Sequence, residues 1–404
     1  MNILFLTLME ITDINERGIY HDLLRRFKCE GHKVYVIYPL ERRKKLHTNV
    51  KEQDGVTLLG VRCLNIQKTN IVEKGIGTIL LETQFLKEVK KRFSKINFDL
   101  ILYSTPPITL TKVIKYIKQK NKAISYLLLK DIFPQNAVDL GIIRKGGFLH
   151  KFFIKKEKEL YQYSDYIGCM SPANVKYVIN HNPELRQNAI EVNPNTISVV
   201  HNKLNPHENS ITRRKYHIPD NVLVLIYGGN LGKPQGIDFL IEVLDVNLIK
   251  NDVFFVIVGS GTEFKKIRNW FEEKKPLNAI LINSLPKSEY DQLLDAADIG
   301  LIFLDKRFTI PNFPSRLLSY LEKSMPVLLA TDNNTDIGEI IVNAKCGFWC
   351  ESGDLKTFNK FINRLINERE LIKEMGENSN KLLRENYTVE ISYNLIIDRV
   401  RQKK

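Results

Sequence analysis

Leu223-Val-Leu-Ile-Tyr-Gly-Gly-Asn-Leu-Gly-Lys-Pro-Gln-Gly-Ile-Asp-Phe-Leu-Ile241 is the stretch that decides the fold. Its first five residues, Leu223 to Tyr227, are apolar or aromatic with no charge among them, the pattern of a strand buried on both faces. Gly228, Gly229, Gly232 and Gly236 follow, and then an apolar repeat at helical spacing. The order is strand, glycine loop, helix. Glycines let backbone N–H groups approach a ligand closely, and a helix beginning near Gln235 turns its positive dipole end into the same space. An anion would be at home there, with Lys233 adding a full charge. The same glycines would equally serve a bare strand-to-helix turn, so the reading depends on the rest of the chain.

Outward from this stretch the same alternation repeats. Strands are expected near 254–258, 279–282, 300–304, 326–330 and 346–350 on one side. On the other, strands at 2–8, 31–37, 99–103, 123–129 and 166–170 alternate with helices at 78–93, 109–120 and 148–163. Alternating strands and helices argue for doubly wound parallel sheets. Residues 202–214 are polar, contain Pro206 and lack periodicity, which reads as a linker. The expected fold is therefore two Rossmann-like α/β domains, residues 1–203 and 204–387, with an amphipathic closing helix in 388–404 packing back on the first.

The chain has 404 residues, of which 43% are hydrophobic, enough to bury two cores. Its formal net charge is +14, and Lys and Arg gather at 42–45, 87–95 and 151–158, which points to a basic face for phosphate-bearing or membrane partners. Cys29, Cys63, Cys169, Cys346 and Cys350 are scattered. Cys346-x-x-x-Cys350 has no His or second Cys pair beside it to complete a zinc site, so reduced cytoplasmic thiols are expected. His32 and His201 read as surface or turn residues. No apolar run reaches 18 residues and Met1-Asn2-Ile3-Leu4 starts directly as a strand, so neither a signal peptide nor a spanning helix is expected.

Two further segments resemble ligand loops. In Val258-Gly-Ser-Gly-Thr-Glu-Phe-Lys-Lys266, Gly259, Ser260 and Gly261 end a strand, and a helix carrying Lys265 and Lys266 follows. In Phe313-Pro-Ser-Arg-Leu-Leu-Ser319, Pro314 and Ser315 suit a helix start and Arg316 stands in the first turn. A cation there opposes the helix dipole at a cost of about 0.3–1 kcal/mol, which makes sense with an anion bound between them. The alternative is an Arg reaching a nearby carboxylate.

The order and spacing of these loops, with Leu294-Asp-Ala-Ala-Asp-Ile-Gly-Leu301, Pro314-Ser-Arg316, Met325-Pro-Val327 and Asp336-Ile-Gly-Glu339, resemble the GT-B retaining glycosyltransferases of family 4. Leu129-Lys-Asp-Ile-Phe-Pro134 and Gly229-Asn-Leu-Gly232 look like loops of bacterial capsule and O-antigen transferases of N-acetylfucosamine-type amino sugars. The resemblance implies two domains facing a cleft. It implies a nucleotide-diphosphate sugar donor, UDP-linked, and an N-terminal half holding a polyprenyl-linked or glycan acceptor. It makes Gly229, Asn230, Lys233, Gln235, Gly259, Ser260, Gly261, Lys265, Pro314, Ser315, Arg316, Leu317 and Ser319 a cradle for the donor diphosphate, with Leu285 and Pro286 lining the base. Arg17 and Gly18 would face the donor from the first half, and Asp131, at a strand end beside Lys130, would be catalytic or orient the acceptor. Where many members carry Arg and Lys in the first loop this chain has Asn230 and Gln235, so Lys233, Lys265 and Arg316 must supply the charge; the family's Glu pair separated by seven residues, assigned to ribose and sugar contacts, would fall at Pro311 and Ser319, neither acidic. No Asp-x-Asp is present to hold a divalent ion, and activity is expected to need neither metal nor other cofactor.

The resemblance further implies a cytoplasmic enzyme peripheral to the plasma membrane. Phe148, Phe152 and Phe153 lie at helical spacing beside Lys151, Lys155 and Lys156, as in an interfacial helix, and Lys112, Lys115 and Lys118 would add charge. An NAD-dependent oxidoreductase would want a complete Gly-x-Gly-x-x-Gly and an acidic residue about twenty positions on, which neither loop provides. A nucleotide-sugar epimerase of the same fold stays open. A nucleic-acid binder would interleave aromatic and basic residues on one surface, whereas these basic runs lie on helices with apolar faces.

Overall fold

Apolar runs flanked by glycine and polar turns become parallel strands here because a strand covered by helices on both sides can be apolar on both faces. The computed structural model describes residues 1–67, 69, 71–200 and 206–403. Two units result: residues 1–198 with 388–404, and residues 199–387.

The first unit carries β1 (Asn2–Leu6), β2 (Lys33–Glu41), β3 (Asn49–Gln53), β4 (Val56–Cys63), β5 (Leu100–Ser104), β6 (Ile124–Leu129), β7 (Tyr166–Cys169) and β8 (Ile190–Val192). They form one sheet in the order β3-β4-β2-β1-β5-β6-β7-β8, parallel except that β3 runs antiparallel to β4. Around it lie α1 (Ile19–Cys29), α2 (Ile71–Arg92), α3 (Thr111–Asn121), α4 (Gln135–Asp139), α5 (Phe148–Tyr163) and α6 (Pro172–His181).

In the second unit α7 (Pro206–Lys215) precedes β9 (Leu223–Asn230), α8 (Ile237–Val246), β10 (Val253–Ser260), α9 (Phe264–Lys274), β11 (Ala279–Ile282), α10 (Lys287–Asp295) and β12 (Ile299–Phe303). Then come α11 (Arg316–Glu322), β13 (Val327–Thr331), α12 (Ile337–Asn343), β14 (Gly347–Glu351), α13 (Leu355–Asn367) and α14 (Arg369–Asn386). Its sheet is wholly parallel, in the order β11-β10-β9-β12-β13-β14. The strand order reverses between β9 and β12, and in such sheets ligands settle outside the carboxyl ends of the strands at that reversal.

The last helix, α15 (Val389–Lys403), belongs to the first unit and packs on α1. Val389, Ile396, Ile397 and Val400 are buried there with Tyr393. Each aliphatic side chain so buried contributes about 1.5–3 kcal/mol. Arg399 pairs with Glu191 at 2.8 Å, and His32 shares a hydrogen bond with the Tyr393 hydroxyl at 3.2 Å, so His32 is a packing residue.

The expected linker at 202–214 is corrected over most of its length: residues 206–215 form α7, with Pro206 at its first turn, where proline's missing N–H costs nothing. This polar helix is held by tertiary contacts. Arg213 donates to the Ala296 carbonyl at 3.0 Å and reaches Asp298 at 3.3 Å, and Lys215 pairs with Glu289 at 2.7 Å. His201 and the expected boundary at 203/204 lie outside the described residues.

Candidate active site

The quoted stretch forms β9 and carries its pairing with β10 out into the loops. The register runs from Leu223 opposite Val253 to Gly229 opposite Gly259 and Asn230 opposite Ser260. Beyond it, the Leu231 N–H donates to the Ser260 carbonyl at 3.0 Å and the Glu263 N–H to the Leu231 carbonyl at 2.9 Å. The two loops are laced so closely that a Cβ on Gly259 would lie 1.9 Å from the Gly229 oxygen. Gly229 itself has φ 129° and faces solvent, a conformation that glycine alone adopts freely. The chain then makes one tight turn at Lys233–Gln235, and Gly236 (φ 54°) opens α8. The Asp305 N–H, at the end of β12, donates to the Pro234 carbonyl at 3.1 Å, so the loops on both sides of the reversal touch.

Arg316 is the first residue of α11, at the dipole end where a cation is disfavoured. Its guanidinium lies over the Tyr227 ring, 4.4 Å from the centroid, beneath Gly229. Nη2 donates to Gln235 Oε1 at 2.5 Å; Nη1 is buried and has no hydrogen-bond partner in the structure. No ion pair joins Arg316 to a carboxylate among the described residues, so the alternative reading of this Arg is not what the structure shows. Tyr290 and Tyr320 complete the surroundings: the Gly228 N–H donates to the Tyr320 hydroxyl at 3.3 Å, and the Tyr290 hydroxyl occupies the space a Gly228 side chain would need. Burial pushes the Tyr320 hydroxyl up to about 12, which keeps it neutral. These tyrosines were not foreseen, and only Tyr227, inside the quoted stretch, had a visible signal.

Gly229, Asn230, Gln235, Gly259, Ser260, Gly261 and Arg316 are thus brought together. Lys233 and Lys265 stand exposed on the flanking turn and on α9, while Lys266 pairs with Asp238. Leu285 and Pro286 precede α10, where the Tyr290 N–H donates to the Pro286 carbonyl at 3.0 Å. Ser315 is exposed, and Pro314 and Ser319 are half-buried. Leu317 is a core residue: its side chain is fully buried and its N–H already donates to the Pro314 carbonyl at 3.2 Å.

In the first unit Asp131 follows β6 at the carboxyl edge. Asn136 Nδ2 donates to both of its carboxylate oxygens, at 2.8 and 2.7 Å. Thr105, just past β5, donates its hydroxyl to the Asp131 carbonyl at 3.0 Å and accepts from the N–H groups of Lys130 and Asp131 at 3.0 and 3.2 Å. Burial pushes the Asp131 carboxyl up to about 6. Lys130, its chain neighbour, does not turn its charge to this carboxylate: the Lys130 amine donates instead to the carbonyls of Asn193 and Pro194, both at 3.2 Å. Gly18 caps α1, its N–H donating to Asp22 at 3.3 Å, and Arg17 donates to the Ser198 carbonyl at 3.4 Å.

Residues 208–382 match the family model for glycosyl transferases group 1. The match lies wholly within the second unit. Over 335 residues the chain is 22% identical to the probable glycosyltransferase WbjE of Pseudomonas aeruginosa, covering 80% of this chain and 79% of that one. It is 27% identical over 192 residues to the capsular polysaccharide biosynthesis glycosyltransferase CapM of Staphylococcus aureus, covering 46% of this chain and 47% of that one. Among solved structures, sucrose-phosphate synthase from Thermosynechococcus elongatus superposes with a TM-score of 0.77 at 12% identity, over 100% of this chain and 99% of that one. HepE of Anabaena, in complex with UDP, does so with a TM-score of 0.70 at 15% identity, over 100% of both. At these identities the likeness is one of fold, and the fold is GT-B. The matched residues span every cradle residue named above in the second unit.

Proposed function

We propose that this glycosyltransferase moves an amino or deoxy-amino sugar from a UDP-linked donor to a lipid-linked or glycan acceptor in bacterial surface polysaccharide synthesis, with retention at the anomeric carbon. The observation that carries the reading is Arg316: a permanently charged group, partly buried beneath a glycine loop, without a carboxylate partner among the described residues and with its Nη1 unused. A buried charge demands a counter-ion, and a diphosphate at the β9–β12 reversal would supply it. Lys233, Lys265 and Arg316 then neutralise the leaving diphosphate directly. In retention without a covalent intermediate the acceptor hydroxyl enters on the face the diphosphate leaves, and Asp131 would orient it. HepE, of the same fold, is solved with UDP, which supports the choice of base.

A thermal-shift series with UDP, GDP, ADP and NAD in buffer containing EDTA tests this. UDP alone is expected to raise the melting temperature, by mass action on the native state. A response to NAD and not to UDP, or a UDP response that needs manganese, overturns the reading.

The acceptor side is read as an anionic membrane surface. No helix among the described residues is long and apolar enough to span a bilayer. However, Phe148 is 84% exposed, Leu149 56% and Ile142 60%, close to exposed Lys151 and Lys155. Helix α3 packs between α5 and α2, presenting exposed Lys112 and Lys115, and α2 exposes Ile76, Ile79 and Leu80. Apolar residues among lysines suit a headgroup boundary. Three expected contributors are corrected. Phe152 and Phe153 are half-buried, with Phe153 packed on Phe133 at 4.9 Å, and Lys118 is tied to Asp165 at 2.8 Å. Sedimentation with anionic but not neutral liposomes, weakened by salt and by Phe148→Ser, is the expected result. Equal partition to both kinds of vesicle contradicts it.

A further inference from the structure

Residues 193–198 leave β8 as an irregular segment, yet Asn193, Asn195, Thr196 and Ile197 are all buried. Buried backbone without a ladder must find other partners. At one end the partner is the Lys130 amine, which donates to the carbonyls of Asn193 and Pro194. In the middle, Asn195 contacts the Met170 sulfur, and Asn193 bonds the Tyr126 hydroxyl at 3.0 Å. At the other end the Ser198 N–H donates to the buried Asp22 carboxylate at 2.7 Å, and Ile197 accepts from the Val389 N–H at 3.0 Å. The chain departs from the first unit after Ser198 and rejoins it at Thr388, so this segment is fastened beside both crossings.

We infer that Lys130 is a positioning residue: through its two carbonyl bonds it fixes Asp131 relative to the 193–198 segment, where the chain passes to the second unit. This rests on the proposed role of Asp131. Three features support it. Lys130 and Asp131 are adjacent and share the Thr105 hydroxyl as their backbone acceptor, so displacement of one moves the other. No carboxylate pairs with the Lys130 amine among the described residues, so its work there is donation to carbonyls. Burial pulls that amine down to about 7, and the neutral amine still has two N–H groups for the two carbonyls. The sequence showed only a lysine next to an aspartate.

The test measures kcat, the affinity for UDP and the melting temperature in Lys130→Met, which keeps the length of the side chain and removes the donors. Mispositioning of a reacting group by about 1 Å is worth up to roughly 10²-fold in rate. A fall in kcat of about tenfold to a hundredfold with UDP affinity unchanged is expected. Lys130→Gln, which retains an amide donor, should recover part of the rate and serves if the Met variant does not fold. A folded Lys130→Met enzyme with wild-type kcat, or one that loses UDP affinity in proportion to rate, overturns the inference. Asp131→Asn is run alongside: normal turnover there removes the proposed role of Asp131 itself, a failure distinct from that of Lys130.

Discussion

Asp131→Asn is expected to lower kcat by about 10²-fold or more with nucleotide binding unchanged, the lower end of what a positioned acid or base contributes. The carboxyl sits near 6 because burial disfavours its charge, and the Asn136 amide only partly compensates. The sign follows directly: a carboxylate that must be ionised to orient or deprotonate a hydroxyl makes kcat rise with pH through about 6. At pH 5 roughly a tenth of the ionised form remains. The wild-type profile should therefore show an acid limb near 6 that the Asn variant lacks. A variant that is folded and turns over normally would leave Asp131 as the anchor of Asn136 and nothing more.

Arg316→Ala and Lys233→Ala are each expected to weaken donor use by about 1.5–3 kcal/mol, or some ten- to 150-fold in kcat/KM, the scale of a charge-assisted hydrogen bond. The Arg316 loss should exceed that of Lys233, since a half-buried guanidinium is screened less than an exposed ammonium. Arg316→Lys should rescue poorly: a lysine cannot stack flat on Tyr227 while bonding Gln235. Alanine variants with wild-type kinetics and nucleotide affinity would place the diphosphate elsewhere.

The strands that packing makes wholly apolar were visible from the sequence. β9, β11 and α5 appear within a few residues of where they were expected. What escaped was structure stabilised from outside. β3 is an exposed polar edge strand, Asn49-Val-Lys-Glu-Gln53, with no core face to mark it, although Asp54-Gly55, both at positive φ, signals the hairpin that joins it to β4. α7 is polar throughout and owes its helix to Asp298 and Glu289, some 80 residues away. At the site, the glycines and Arg316 announced themselves through local rules of turn and helix start. The tyrosines around Arg316 and the carbonyl partners of Lys130 come from distant segments, and no local pattern encodes such meetings. Asn136 lies only five residues beyond Asp131, but its role depends on the turn between them.

The return of α15 to the first unit has a consequence for synthesis. The second unit is in effect spliced into the first, between Ser198 and Thr388. As the chain emerges from the ribosome, residues 1–198 wait with an apolar strip on α1 uncovered, because Val389, Tyr393, Ile396, Ile397 and Val400 are made only after the whole second unit. The inserted domain has every strand of its own sheet and can mature first, reversing the usual order in which N-terminal domains fold ahead of those behind them. Until α15 is added that strip stays open, and α15 is the latch that closes it.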